Sequence, residues 1–305
     1  MKRVVALILF LMGCGTGGAD GGGDNALPNP GYAPYEWLES TDGLRSILTT
    51  ESHLNSPHAL VHQGRVHLYL AQCLPDTPCR IVEARSPDGI HFEALTPVAD
   101  HPDGLRHPFV THAPQGLVLY AVNEGTGALL RFAKTPNGFA DPMVVLTPEA
   151  NTRFVSPSVT YSDGKRIIFI GEESSEHTRF LMASDESNST PEPIDFQWCV
   201  DPCWSAGIAR GVDVRRVRTA TGRIQYRAIA TVQDNQGKPA IAYAVSDDKI
   251  RWSAFPFNPV LEANARLREP SQVRFQGQYF IYAVAGQTAK VVAAMNNTPA
   301  PSVSW

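Results

Sequence analysis

After its first dozen residues this chain shows no sustained helical apolar period, which argues against a helical bundle. The only basic-then-apolar run is N-terminal, and at Val4 to Met12 it is too short to span a bilayer as a stable anchor. Positive charge is not in excess. The 26 Lys and Arg face 30 Asp and Glu, for a net charge of −4, so nucleic acid is a poor partner for the chain. There is no Gly-rich phosphate loop, no His-Glu-x-x-His, no Gly-x-Ser-x-Gly and no calcium-loop motif, so neither a cofactor nor a metal site is assigned. Cysteine is scarce, with five in 305 residues. What remains is a chain long enough for one large or two ordinary domains, and 43% hydrophobic residues to build a core.

The N-terminus reads as a targeting segment. Lys2-Arg3 precedes the apolar run, which ends in Leu11-Met12-Gly13-Cys14. This phrase resembles the bacterial lipoprotein signal. The resemblance implies removal of residues 1–13, lipidation of Cys14, and residence in the bacterial cell envelope, at the outer membrane or cell surface, with membrane contact through the anchor alone. An ordinary secretory signal is the alternative, and either reading exports the chain. Residues 14–33 are rich in Gly and Asp, which suits a flexible tether, and a folded domain is expected over 34–305. Export permits disulfides. The four cysteines after Cys14 form two local sets, Cys73 with Cys79 and Cys199 with Cys203. Three connectivities are possible, and the local one closes two Pro-containing loops. Zinc is the rival, but the usual two-residue gaps are missing.

The body of the chain repeats one phrase. Val155-Ser-Pro-Ser-Val-Thr-Tyr-Ser-Asp-Gly-Lys-Arg-Ile-Ile-Phe-Ile170 reads as two strands around an Asp-Gly turn. Similar strand starts stand at Ser56-Pro57, His107-Pro108, Gly211-Val212 and Glu269-Pro270. A second marker follows each, as in Ala84-Arg-Ser-Pro-Asp-Gly89 and Ala244-Val-Ser-Asp-Asp248. Both markers keep a period of about 50 residues, the signature of a repeat array with four strands per unit. The expected fold is therefore all-β, a five-bladed β-propeller. The last unit is one strand short, and Glu36 to Thr50 is placed to supply it and close the ring. Two β-sandwiches are the alternative.

Ser86-Pro-Asp-Gly-Ile-His-Phe92 and Ser246-Asp-Asp-Lys-Ile-Arg-Trp252 carry a resemblance to the five-bladed propellers of glycoside hydrolase families 43 and 32. It covers about residues 36–305. Such enzymes set carboxylates at the inner-strand starts around a funnel, one acting on water or the sugar carbon and one protonating the leaving oxygen. In family 43 the acids stand before the first-blade Pro, after the second-blade Pro and in a Glu-Gly-Pro phrase. The matching positions here are Ser56, Phe109 and Arg210. Neither Phe109 nor Arg210 can carry a proton as a carboxylate does.

Other residues at the strand starts supply the candidates. Arg106, Arg210 and Arg268 occupy equivalent positions, and three guanidiniums converging on an axis would suit a carbohydrate or other small acidic ligand. Equally, each Arg could pair with a nearby acid and tie units together. His58 and His107 lie beside the openings as further ligand-binding candidates. Glu269 and Asp213 are the candidate catalytic acids, because both sit at strand starts. Glu172-Glu173 reads as part of a solvated loop. Three functions follow: a carbohydrate-engaging exported lipoprotein, a glycoside hydrolase with a rearranged acid pair, or a non-catalytic surface scaffold.

Overall fold

The structure, a computed structural model, describes residues 36–37, 39–40, 43–44, 46–48, 52–162, 164–175, 177–184, 191–198, 205–219, 222–255, 258–262, 267–285 and 290–296. The signal over 1–13, the tether over 14–33 with Cys14, and the Cys199 and Cys203 set lie outside the described residues. The regular structure within them is all β-strand.

Strand pairing gives a succession of antiparallel meanders, each running from an inner to an outer strand, with the outer strands of the third and fourth joined by a short parallel pair. The first contains His53–His62, Arg65–Cys73, Arg80–Ser86 and Thr96–Ala99. The second contains Leu105–Ala113, Gly116–Asn123, Leu129–Thr135 and Gly138–Leu146. The third contains Arg153–Ser162, Lys165–Glu173, Thr178–Ser184 and Glu192–Phe196. The fourth contains Ser205–Arg218, Ile224–Asp234, Pro239–Ser246 and Arg251–Ala254. The last has Leu267–Phe275, Gln278–Ala285 and Lys290–Asn296. Its outer place is filled from the N-terminal side by Glu36–Trp37 and Ser46–Leu48, which pair antiparallel with Lys290–Asn296. The seam therefore joins the two ends of the domain by backbone hydrogen bonds and covers the edge of Lys290–Asn296.

Packing explains why the inner strands read as near-continuous apolar runs instead of alternating ones. Each meander is buried on both faces, as with Val66–Ala71 and Tyr279–Ala285. The apolar clusters are shared between consecutive meanders. Tyr69 and Ile81 meet Leu119 and Phe132; Tyr120 meets Phe154 and Ile168; Phe169 meets Tyr226 and Trp252; Ile241 meets Ile281; Phe280 and Tyr282 meet Leu68 and Leu54. This last cluster joins the final meander to the first. The first strands likewise touch in sequence order, and Leu267–Phe275 returns to His53–His62. The core is thus a ring of interfaces around an axis.

The repeated Asp turn has a local cause. Asp88 Oδ1 accepts from the Ile90 and His91 N–H groups at 2.9 and 2.8 Å, and Ser86 Oγ accepts from Gly89 N–H at 2.8 Å. Asp248 and Ser246 repeat this, with 2.9 and 2.8 Å bonds from Ile250 and Arg251 and 2.8 Å from Lys249. The side chains replace backbone partners that the tight connection cannot supply. Cys73 and Cys79 are joined as a disulfide, closing the loop between the second and third strands of the first meander.

Candidate active site at the axis

Each first strand carries the same irregularity near its start. The ladder slips between Asn55 and His58, Arg106 and Phe109, Val155 and Ser158, Arg210 and Asp213, and Arg268 and Ser271. Inside each bulge one residue has positive φ: Ser56 at 51°, His107 at 51°, Ser156 at 49°, Gly211 at 62° and Glu269 at 54°. Four of the five are not glycine and precede proline, so the backbone is strained by about 1–3 kcal/mol at each. A bulge re-aims side chains that a regular strand would turn elsewhere. Here the five bulges meet and line one axial cleft, with Ser56, His58, His107, Phe109, Ser158, Asp213, Glu269 and Ser271 on its wall. Its volume of ≈ 30 Å³ has room for a water or two.

Gly211 has no side chain because there is no room for one. A Cβ there would stand 2.4 Å from Glu269 Cα and 2.7 Å from its backbone N. The fourth meander thereby lets the last approach the axis, and Glu269 is pressed inward. Its Oε2 accepts the Ser56 backbone N–H at 2.8 Å, and its Oε1 lies 3.5 Å from His107 Nδ1. Ser56 Oγ lies 3.0 Å from the same nitrogen. Serine, histidine and glutamate are thus gathered from three meanders, but both contacts use Nδ1. A serine-histidine-acid relay needs opposite ring nitrogens, so this cluster is not one. Burial lowers the His107 pKa, with Arg106 and Arg153 adding to the effect against the pull of Glu269, so the ring is biased toward its neutral form.

Deeper along the axis stands an ion pair. Arg215 donates to Asp213 Oδ2 from Nη2 at 2.8 Å and from Nε at 3.1 Å, and also to the Ala59 carbonyl at 3.0 Å. Its guanidinium lies 5.3 Å from the Phe109 ring centroid. Asp213 Oδ2 further accepts from Ser271 Oγ at 3.0 Å and Gln272 N–H at 3.1 Å, while its buried Oδ1 has no partner. His58 closes this layer. Its Nε2 donates to the Val110 carbonyl at 2.8 Å, and Arg215 Nη2 approaches its Nδ1 at 3.4 Å, which fits a neutral ring protonated on Nε2. Burial first, then Arg215, brings the His58 pKa down to about 3.

The predicted residues are therefore divided. Glu269, Asp213, His58 and His107 line the cleft. Arg106 does not. It is half exposed and ion-paired with Glu124 of its own meander, so it finds an acid without tying two meanders together. Arg268 stands beside Asn55, 3.4 Å from its Oδ1, also off the cleft wall. The side chain of Arg210 lies outside the described residues. Glu172 is buried instead of solvated, and accepts from Arg179, Thr152 and the Glu149 N–H, which fixes the loop before the third meander. Sequence reasoning missed Arg215. Its signal was a charge two residues past Asp213 on a strand otherwise buried at that period.

No family model matches the chain, and no curated protein does. Solved structures do. A family 62 glycoside hydrolase in complex with xylotriose superposes with a TM-score of 0.63 at 12% identity, over 88% of this chain and 98% of that one. The fold is that of the β-propeller glycoside hydrolases. The catalytic domain of the family 62 α-L-arabinofuranosidase from Coprinopsis cinerea gives 0.61 at 14% identity, over 88% and 98% of the two chains. A thermostable family 43 glycoside hydrolase gives 0.58 at 14%, over 82% and 95%. Within this propeller, two of the three acid positions implied by the family 43 resemblance, Ser56 and Phe109, do face the axial cleft, without carboxylates.

Proposed function

We propose that this chain is an exported bacterial lipoprotein of the cell envelope whose propeller holds a carbohydrate over the mouth of the axial cleft, by binding and not by hydrolysis. The observation that carries this reading is that Ser56 and Phe109 stand on the cleft wall where the family 43 resemblance calls for acids, and that one oxygen of each axial carboxylate is engaged by the protein. Asp213 is locked to Arg215, and Glu269 holds the Ser56 N–H. A general acid and base on opposite sides of a glycosidic bond must be free to exchange protons with the sugar oxygen and water. The enclosed part of the cleft is small, ≈ 30 Å³. Ligand contact thus falls to the mouth, where neutral His107 and the Glu269 carboxylate offer a donor–acceptor set suited to sugar hydroxyls. Pairing of Arg106 with Glu124 removes the main cationic lure for an acidic ligand, which favours a neutral glycan.

Calorimetric titration with neutral xylo- and arabino-oligosaccharides, and with oligogalacturonate as the acidic arm, tests this. Neutral ligands are expected to bind, and Glu269→Gln to weaken them about tenfold or more, the cost of one hydrogen bond to a charged group. Sustained turnover of chromogenic glycosides that Glu269→Gln abolishes would instead establish the hydrolase with Glu269 and Asp213 as its acids. Preference for oligogalacturonate would restore the acidic-ligand reading.

A further inference from the structure

A larger hollow lies at the same end of the propeller as the cleft mouth. In an antiparallel meander the first strand starts, the second ends and the third starts at one end, and here that end holds the cleft mouth. It also gathers the close of Arg65–Cys73, the start of Arg80–Ser86 and the start of Leu105–Ala113. Between these and the connection over 100–104 is a pocket of ≈ 470 Å³, a volume ordinary for a small-ligand site. Its frame is fixed. The Cys73–Cys79 disulfide closes the loop on one side. The Cys79 carbonyl accepts the Leu105 N–H at 2.8 Å, and the Cys79 N–H donates to Glu124 Oε2 at 3.2 Å. On the other side the Gly104 N–H donates to the His101 carbonyl at 2.9 Å.

The wall carries polar groups that the protein leaves unengaged. Arg80 donates from Nε to Gln72 Oε1 at 3.0 Å, and Gln72 donates in turn to Ser52 Oγ at 2.8 Å. That anchors the guanidinium, whose Nη groups have no partner among the described residues. Asp100 is exposed and has none among them either. His101 Nδ1 accepts from Asn123 Nδ2 at 3.0 Å and from the Asp103 N–H at 3.2 Å, so the ring carries its hydrogen on Nε2, a donor with no partner among the described residues. Leu74, 41% exposed, adds apolar surface together with Pro78 and Pro102. Two donors and an acceptor beside an apolar wall complement a polyhydroxylated ring, whose hydroxyls give and take hydrogen bonds while its C–H face is apolar. Arg80 and Asp100 balance in charge, which suits a neutral ligand.

We propose that this disulfide-framed pocket is a second carbohydrate subsite, taking the units of a neutral oligosaccharide that extend outward from the cleft mouth. The inference deepens the carbohydrate reading and rests on it. Leu105 is bonded to the pocket wall at Cys79, and His107 of the cleft wall lies two residues further along the same strand, about 7 Å at 3.3 Å per residue. That span is within reach of a short oligosaccharide. Glu124 ties the two places together, accepting from Cys79 N–H on one oxygen and from Arg106 on the other. The cleft mouth offers few contacts, so affinity for a longer glycan falls largely to the pocket.

The experiment titrates the full chain with disaccharides and hexasaccharides of the neutral xylo- and arabino- series, by calorimetry and by ligand-observed NMR so that weak binding is also measured. The hexasaccharide is expected to bind more tightly. Arg80→Gln combined with Asp100→Asn is expected to weaken the hexasaccharide about tenfold or more, the cost of hydrogen bonds to charged groups, and to leave the disaccharide within a few-fold. Leu74→Asp is expected to act in the same direction on the same ligand. Leu74 and Asp100 are exposed and Arg80 is half-buried, so the fold is expected to persist, as urea midpoints will report. Glu269→Gln is expected to weaken both ligands. Equal affinity for the two lengths, full hexasaccharide affinity in the Arg80 and Asp100 variant, or equal loss of both ligands in it overturns the proposal. Where any of these accompanies a loss in Glu269→Gln, carbohydrate binding at the cleft mouth stands and the subsite alone falls. Absence of binding to either length overturns both readings.

Discussion

Replacing Gly211 by Ala perturbs the axis at the point where two meanders come closest. Two costs add. The residue has φ of 62°, where an L side chain costs about 1–2 kcal/mol. The new methyl would also stand 2.4 Å from Glu269 Cα and 2.7 Å from its backbone N. Those are backbone atoms and cannot swing aside, so relief requires a shift of the whole strand, at about 1–3 kcal/mol for an overfilled site. The total, about 2–5 kcal/mol, is a large fraction of an ordinary domain's stability. Gly277→Ala isolates the first cost. Its φ is 83° and nothing lies within 4 Å of the added Cβ. Urea unfolding of both variants should find Gly211→Ala the less stable by about 1–3 kcal/mol, and its melting temperature lower by about 2–4 °C for each kcal/mol. Equal destabilisation of the two would refute the close approach, and with it the account of how Glu269 is pressed into the cleft.

Two further outcomes follow from the buried layer. His58 has its pKa lowered to about 3 by burial and Arg215. Below its unfolded value of 6.5, the unfolded chain takes up a proton that the folded chain refuses, so stability is whole above that pH and falls as pH drops toward 3. Between pH 6.5 and 5 the loss from this group is about 2 kcal/mol, and urea titrations at the two pH values should show that much less acid sensitivity in His58→Gln. Arg215→Met strands the Asp213 carboxylate and is expected to cost about 3–5 kcal/mol, whereas the double variant with Asp213→Leu should recover a good part of it, as read by urea midpoints. A double variant no better than the single would show that the pair contributes more than mutual neutralisation.

The residues that form strands, and the way those strands repeat, are written locally. Asp-Gly and Ser-x-Asp turns fix φ and satisfy backbone N–H groups within a few residues, so Ser86 to His91 and Ser246 to Arg251 are legible without any partner. The two periodic markers then give repeated four-strand units, and the strand missing from the last one points to Glu36–Trp37 and Ser46–Leu48 as its complement. Proline at 57, 108, 157 and 270, with Gly211-Val212 in the same place in the fourth unit, marks the strand starts that line the cleft, which is why Glu269, His107, His58 and Asp213 were within reach of the sequence.

Charge pairing was decided elsewhere. Arg106 finds Glu124 eighteen residues away, and Glu269 finds Ser56 across 213 residues. A guanidinium at a strand start is the same letter whether it faces a ligand or an acid, and only the neighbouring strand distinguishes them. Arg215 makes the point in reverse. Asp213 is its neighbour on the same strand, but Ala59 and Ser271 arrive from the first and last meanders to receive it. Turn chemistry and apolar runs act over a few residues and so can be read in order. The cost of burying a charge is settled by whatever else is brought to the same place, and that is known only once the ring has closed.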